Sequence, residues 1–335
     1  MYEAFYGLKE RPFELVPNPR FLFLTSRQRE AYSNLQYGLT TARGLTLLIG
    51  EAGTGKTTLV QAALADPSAA VVKVVLMSNP TLTRSEFYEF LARAFGLTDA
   101  ASESKTRFLF ELRGELQARH EAGVLSALVF DEAQSIPYEL LEEIRLLSNI
   151  ETTTTKLLNV ILAGQPELSD RLNDTSLRQL KQRISLRCEL KPMQLNETAS
   201  YIAGRLRIAG GRPEQVFTRE AVSAVFQASG GLPRTVNVIC DNALIGGFAA
   251  QVRPINAAFV DDVCRDFDID LPASSAAHVS SLSSEGAAVV SPPPARSPLA
   301  SAPLVPSPAS GEAPGVDAVT SMFDHVGRKR RFSFF

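Results

Sequence analysis

Hydrophobic positions along the chain fall into two rhythms. Short apolar runs rich in Leu, Val and Ile occupy residues 45–49, 70–77, 125–130, 157–163 and 185–190. Their length and β-branched content predict buried strands of a parallel sheet. Between them, apolar residues recur at three- and four-residue spacing, which predicts helices. Phe87, Phe90, Leu91 and Phe95 mark one over 83–96, Phe108, Leu112 and Leu116 a second over 105–122. Leu140, Leu141, Ile144 and Leu147 mark a third over 138–150. Strands alternating with helices predict an α/β domain over 44–191 with a five-stranded parallel sheet. The polar run Thr152–Thr155 is expected to be a turn.

Residues 192–270 keep only the helical rhythm and predict a small helical lid domain, with Asn196 and Thr218 as helix caps. Residues 1–43 are different again. Pro12-Phe13, Pro17-Asn18-Pro19 and Phe21-Leu22-Phe23 predict an irregular segment packing on the α/β core. Its one helix starts at Ser26 and carries Ala31, Leu35 and Leu39 on one face.

Composition refines this picture at the far end. Residues 271–316 are dominated by Pro, Ser and Ala, a mixture that cannot bury a core and predicts a disordered linker. Residues 317–335 form a basic-aromatic tail, in which Arg328-Lys329-Arg330-Arg331 precedes Phe332, Phe334 and Phe335. That pairing suits an anionic membrane surface or a partner protein. A net charge of −2 exerts no global pull toward nucleic acid. Cys188, Cys240 and Cys264 are too scattered for a disulfide framework or a metal cluster, and no apolar run is long enough to span a bilayer. The expectation is a soluble cytoplasmic protein, with the tail as its route to the inner membrane.

Chemistry concentrates where apolar runs end. Leu45–Ile49 leads into Gly50-Glu51-Ala52-Gly53-Thr54-Gly55-Lys56-Thr57, followed by Thr58 and a helical stretch. Strand, glycine-rich loop and helix together make a phosphate cradle of backbone N–H groups. Lys56 is expected at the β- and γ-phosphates and Thr57 at Mg²⁺. The aromatics of residues 1–43 then either cover the sheet edge or wrap over the adenine ring of the nucleotide. The run 125–130 ends in Asp131-Glu132, placing two carboxylates at the sheet's ligand-binding edge. Asp131 suits Mg²⁺, and Glu132 suits a base that polarises water. Gln165 follows the run 157–163, where a neutral amide can orient water or report on a γ-phosphate. Arg183, with Arg178 as second choice, is a candidate to reach a neighbouring subunit's phosphates. In Gly230-Gly231-Leu232-Pro233-Arg234, the glycines and proline throw Arg234 to a helix N-terminus, where a cation calls for a nearby anion.

These landmarks stand in the order found in AAA+ ATPases, and the chain resembles that group. Its finer texture is similar to the general secretion pathway protein A (ExeA-type) family. The resemblance rests on Phe5-Tyr6-Gly7-Leu8, Arg11-Pro12-Phe13, Pro17-Asn18-Pro19-Arg20-Phe21, the loop at 50–58, Asp131-Glu132-Ala133-Gln134 and Gly164-Gln165-Pro166-Glu167-Leu168. Transposition helper ATPases share the same core. The resemblance implies ATP and Mg²⁺ as ligands, ATP hydrolysis, and self-assembly into an ATP-dependent ring such as a hexamer. It also implies that the cycle drives assembly of an envelope secretion complex. The rival implication is a DNA-associated helper of a transposase. Envelope-acting relatives usually continue into a transmembrane helix and a periplasmic peptidoglycan-binding module; here the Pro/Ser/Ala-rich stretch stands in that place.

Overall fold

The computed structural model describes residues 1–16, 18–78 and 80–267. The expected linker (271–316) and basic-aromatic tail (317–335), with the last residues of the lid, lie outside the described residues. Helices α1 (Glu3–Tyr6) and α2 (Ser26–Thr40) precede strand β1 (Leu45–Gly50). Then follow α3 (Lys56–Ala65), β2 (Val72–Met77), α4 (Arg84–Phe95), α5 (Asp99–Glu103), α6 (Lys105–Glu121) and β3 (Leu125–Phe130). Helix α7 (Tyr138–Leu147), β4 (Asn159–Gly164), α8 (Pro166–Leu172), α9 (Arg178–Lys181) and β5 (Ile184–Leu190) complete the α/β part. The rest is helical: α10 (Leu195–Ile208), α11 (Pro213–Val216), α12 (Arg219–Ser229), α13 (Pro233–Ala249) and α14 (Ala257–Asp266).

The five strands are parallel and run in the order β2-β3-β4-β1-β5. The three inner strands are covered on both faces, which accounts for their unbroken apolar runs. The run 70–77 is shorter as a strand than expected and is not fully buried. As an edge strand, β2 leaves Lys73 and Leu76 exposed, and the other edge, β5, exposes Ser185, Arg187 and Glu189. On one face α4, α6 and α7 bury Phe87, Leu91, Phe108, Leu112 and Ile144 against the sheet. On the other, Leu35 and Leu39 of α2 and Leu59 and Val60 of α3 meet Leu48, Val129 and Ile161.

A separate apolar cluster holds the helical part together, and here the expectation for residues 1–43 needs correcting. Within that segment, α2 and the adjoining Leu24 pack on the sheet. Tyr2, Tyr6, Leu8, Phe13 and Phe21 are buried instead among Tyr201, Leu206, Phe217, Ile239 and Leu244. The Tyr2 hydroxyl donates to Asp241 at 2.5 Å, and the Tyr6 hydroxyl donates to the Val252 carbonyl at 3.1 Å. The proline-broken segment thus folds back across the chain to supply aromatic surface that the short helices lack.

Two helix caps also differ from expectation. Thr25, not Ser26, caps α2 in a reciprocal pair with Gln28, and Gln194, not Asn196, occupies the cap of α10 with Glu197. Thr218 caps α12 as expected. The turn between α12 and α13 is tight. Gly231 has φ 75°, and a Cβ there would lie 2.0 Å from the Met193 carbonyl oxygen. No helix among the described residues is long and apolar enough to cross a membrane.

Candidate functional site

All five strands point the same way, so the segments after β1, β3 and β4 gather at one sheet edge. After β1, the loop turns on Gly53 (φ 83°) and Gly55 (φ 95°), conformations that cost a side-chain-bearing residue strain. Gly55 immediately precedes α3, whose first residues are Lys56, Thr57 and Thr58. Lys56 is buried, and its ammonium donates to the Gly50 and Glu51 carbonyls at 2.7 and 3.0 Å. Burial pulls its pKa below the ordinary lysine value, while the charges of Glu132, Asp131 and Glu167 oppose that shift.

The loop is tied to β3 by a single short bond. Thr57 Oγ1 donates to Asp131 Oδ2 at 2.6 Å. Asp131 is buried, and its other oxygen accepts the Glu132 N–H at 3.0 Å. Glu132 adopts φ 55°, a left-handed conformation that a non-glycine residue holds only when its surroundings enforce it. Gln134 Nε2 donates to Glu132 Oε2 at 2.6 Å, and Gln165 Nε2 approaches the same oxygen at 3.4 Å. Gln134 Oε1 in turn accepts the Gln165 N–H at 3.1 Å. Arg171 braces this corner, donating to the carbonyls of Gln134 and Ile136 beneath the Tyr138 ring.

The helical part closes the other side. Arg234 lies in the first turn of α13, and its N–H donates to the Gly53 carbonyl at 3.2 Å. A Cβ on residue 53 would come within 3.1 Å of Arg234 Cβ, so this approach needs glycine. Between the two parts lies a cavity of about 320 Å³ lined by Gly53–Leu59, Glu132, Arg234 and Asn237. It is also lined by the N-terminal segment, including Leu15, Asn18 and Phe21–Leu24, and by Tyr201 and Arg205. That volume falls in the range of small-molecule pockets.

Thr57, Asp131, Glu132, Gln165 and Arg234 therefore converge, as do the loop residues. Arg183 and Arg178 do not. Ile184 pairs with Leu45 at the start of β1, so Arg183 lies at the opposite sheet edge, about 17 Å of strand away from the loop. Both arginines are exposed there. Four residues went unread in the sequence. Gln134 and Arg171 act on Glu132 and its turn through hydrogen bonds that no spacing announces. Tyr201 and Arg205, four apart on α10, carry no local signal of the cavity they line. Among the described residues no cluster of three His, Cys, Asp or Glu forms a metal cage, and all three cysteines are buried and free.

Residues 39–172 match the family described as "AAA domain". The chain is 41% identical over 251 residues to General secretion pathway protein A of Aeromonas hydrophila, covering 74% of this chain and 45% of that protein. It is 31% identical over 134 residues to the Mu-like prophage FluMu DNA transposition protein B of Haemophilus influenzae, covering 40% of this chain and 43% of that protein. The chain thus spans less than half the length of these relatives. Among solved structures, the Aeropyrum pernix ORC2 protein, in ADPNP-ADP complexes, superimposes with a TM-score of 0.58. At 16% identity over 77% of this chain and 72% of that one, the likeness is one of fold. Residues 39–172 are thus an AAA domain, in a chain related to General secretion pathway protein A and, at lower identity and over a shorter stretch, to a DNA transposition protein.

Proposed function

We propose that the chain is an ATPase that binds ATP with Mg²⁺ in this cavity and hydrolyses it between its α/β and helical parts. The observation that carries the proposal is the 2.6 Å bond between Thr57 Oγ1 and Asp131 Oδ2. It joins two motifs 74 residues apart into one oxygen donor set beside the phosphate loop. A hydroxyl and a carboxylate fit Mg²⁺, which takes few protein ligands and completes its shell with phosphate oxygens and water. When bound, Mg²⁺ neutralises charge on the phosphate oxygens.

The protein's own groups would then divide the work. Loop N–H groups and Lys56 receive the phosphates, Lys56 exchanging its loop carbonyls for stronger charged acceptors. Glu132 takes a proton from the attacking water. Both amides that touch it donate to Oε2 and, among the described residues, none to Oε1, which leaves that oxygen for the proton. Gln165 positions the water or senses the γ-phosphate, and Arg234 adds a cation from the helical part. Arg183 or Arg178, remote from the cavity of their own subunit, would serve a neighbour's cavity in a ring.

Glu132→Gln tests the assignment. It should bind ATP as the wild type does and release phosphate at least about tenfold more slowly. Undiminished turnover would place the base elsewhere.

For the biological process, similarity to General secretion pathway protein A favours assembly or remodelling of an envelope secretion complex, with the protein cytoplasmic and peripheral to the inner membrane. A second reading, a DNA-associated helper of a transposase, has its own support in the similarity to the transposition protein. Affinity capture with the Glu132→Gln protein and ATP separates them. Envelope components favour the first reading, and a transposase the second.

A further inference from the structure

Arg205 lies on α10 with only 7% of its surface exposed. Its Nε and Nη1 are buried and have no hydrogen-bond partner among the described residues. The guanidinium sits 5.1 Å from the ring centres of both Phe21 and Tyr201. Two aromatic faces offset part of the cost of burying a cation, but they take up none of its N–H donors. Burial also draws the group's pKa below the ordinary arginine value, although a guanidinium keeps its charge throughout the physiological range.

The same side chain lines the cavity that holds the phosphate loop. Within that cavity, Lys56 and the loop mark the phosphate end. Arg205 lines the same cavity, beside the rings of Phe21, from the N-terminal segment, and Tyr201. The Tyr201 ring is fixed there by its hydroxyl, which donates to Asn237 Oδ1 at 2.8 Å. Aromatic walls beside a guanidinium whose Nε and Nη1 lack acceptors suit a flat heteroaromatic ring joined to an oxygen-rich sugar.

We propose that Arg205 recognises the nucleoside half of the bound nucleotide, donating hydrogen bonds to acceptor atoms of its base or ribose. The proposal rests on the ATP-binding reading above. It adds a contact that ties both α10 and the N-terminal segment to occupancy of the cavity, in addition to Arg234.

Arg205→Met keeps the reach and removes charge and donors; Arg205→Lys keeps the charge and loses the fork. Calorimetric affinities for Mg-ATP, ADP and AMP, with AMP read by competition, test both against the wild type. The expected result for Arg205→Met is a loss of about tenfold to a hundredfold, by the same factor for all three nucleotides. The lysine variant should fall between. The ligand-free melting temperature of Arg205→Met should equal or exceed that of the wild type, because an unpaired buried cation has been removed.

A 2′-deoxy-ATP arm distinguishes the two acceptor sources. Discrimination against it that disappears in Arg205→Met assigns the contact to the ribose. Discrimination that is absent, or survives the substitution, assigns it to the base. Unchanged affinities overturn the proposal. So does a loss confined to ATP and ADP, which means a phosphate contact, or AMP binding too weak to measure in the wild type. A lowered ligand-free melting temperature with intact affinity means a structural role and also overturns it. Wild-type protein that binds no nucleotide would remove the ATP reading as well, whereas normal wild-type binding with an unaffected variant removes only this contact.

Discussion

The α/β part and the helical part contribute to one cavity by opposite means. On the α/β side the groups of the site rest on one another: Thr57 on Asp131, Gln134 and Gln165 on Glu132, Lys56 on its own loop. On the helical side, Arg205 is held between two rings with donors to spare, and Arg234 reaches the loop through its backbone. The α/β side is therefore preorganised, and the helical side has donors that a ligand would complete. Free energy of nucleotide binding would then come mainly from the first, and its coupling to movement from the second.

The largest expected effect tests the first half of that comparison. Lys56→Ala should abolish measurable ATP binding, a loss of at least about a hundredfold, or about 2.7 kcal/mol. Affinity within threefold of wild type would sink the site assignment. The variant also probes the ring: mixed with Arg183→Ala subunits, it should recover part of the ATPase activity that each lacks alone. No recovery at any ratio would count against Arg183 acting across a subunit boundary.

Arg234→Ala should have a smaller effect, about tenfold on ATP affinity, since one charge-assisted contact is lost while the Gly53 bond is made by the backbone. The change should be weaker for ADP than for ATP if Arg234 answers the γ-phosphate. Equal losses for both would shift Arg234 toward the inner phosphates. A loss as large as that of Lys56→Ala would erase the difference between the two halves.

The two halves also differed in how much could be read before folding. Asp131 and Gln165 follow directly on a strand, and Lys56 follows one across the glycine loop, so a local string specifies both the residue and its place at the sheet edge. The five strands and their shared direction followed from the same local signals, whereas their order across the sheet did not. Arg205 and Phe21 are 184 positions apart in the chain and meet only because α10 and the N-terminal segment share a core. No local pattern encodes such a meeting, which is why the sequence leaves the aromatics of residues 1–43 between covering the sheet edge and wrapping over an adenine ring. Gln134 is an intermediate case. Its position beside Glu132 was visible, but the bond it makes depends on the left-handed turn at Glu132.

The smallest effect sharpens the claim that the N-terminal segment belongs to the helical half. The Tyr2 ring is buried in the helical cluster, and its hydroxyl donates to Asp241 at 2.5 Å. Tyr2→Phe keeps the ring and removes that bond, so it should cost about 1 kcal/mol of stability at neutral pH, read by denaturant unfolding. Burial, then the bond to Asp241, push the Tyr2 phenol above its ordinary pKa of 10.0. The folded state therefore holds this proton more tightly than the unfolded chain. The stabilisation is complete below pH 10 and fades as the pH rises beyond it. Wild-type stability should fall across that alkaline range more steeply than that of Tyr2→Phe, the neighbouring Tyr6, pushed up to about 12, contributing equally to both. ATP affinity should drop less than threefold, through a looser Phe21 wall. If stability falls but affinity for ATP and the Arg205→Met effect are both unaltered, the segment merely staples the helical part and takes no share in the cavity.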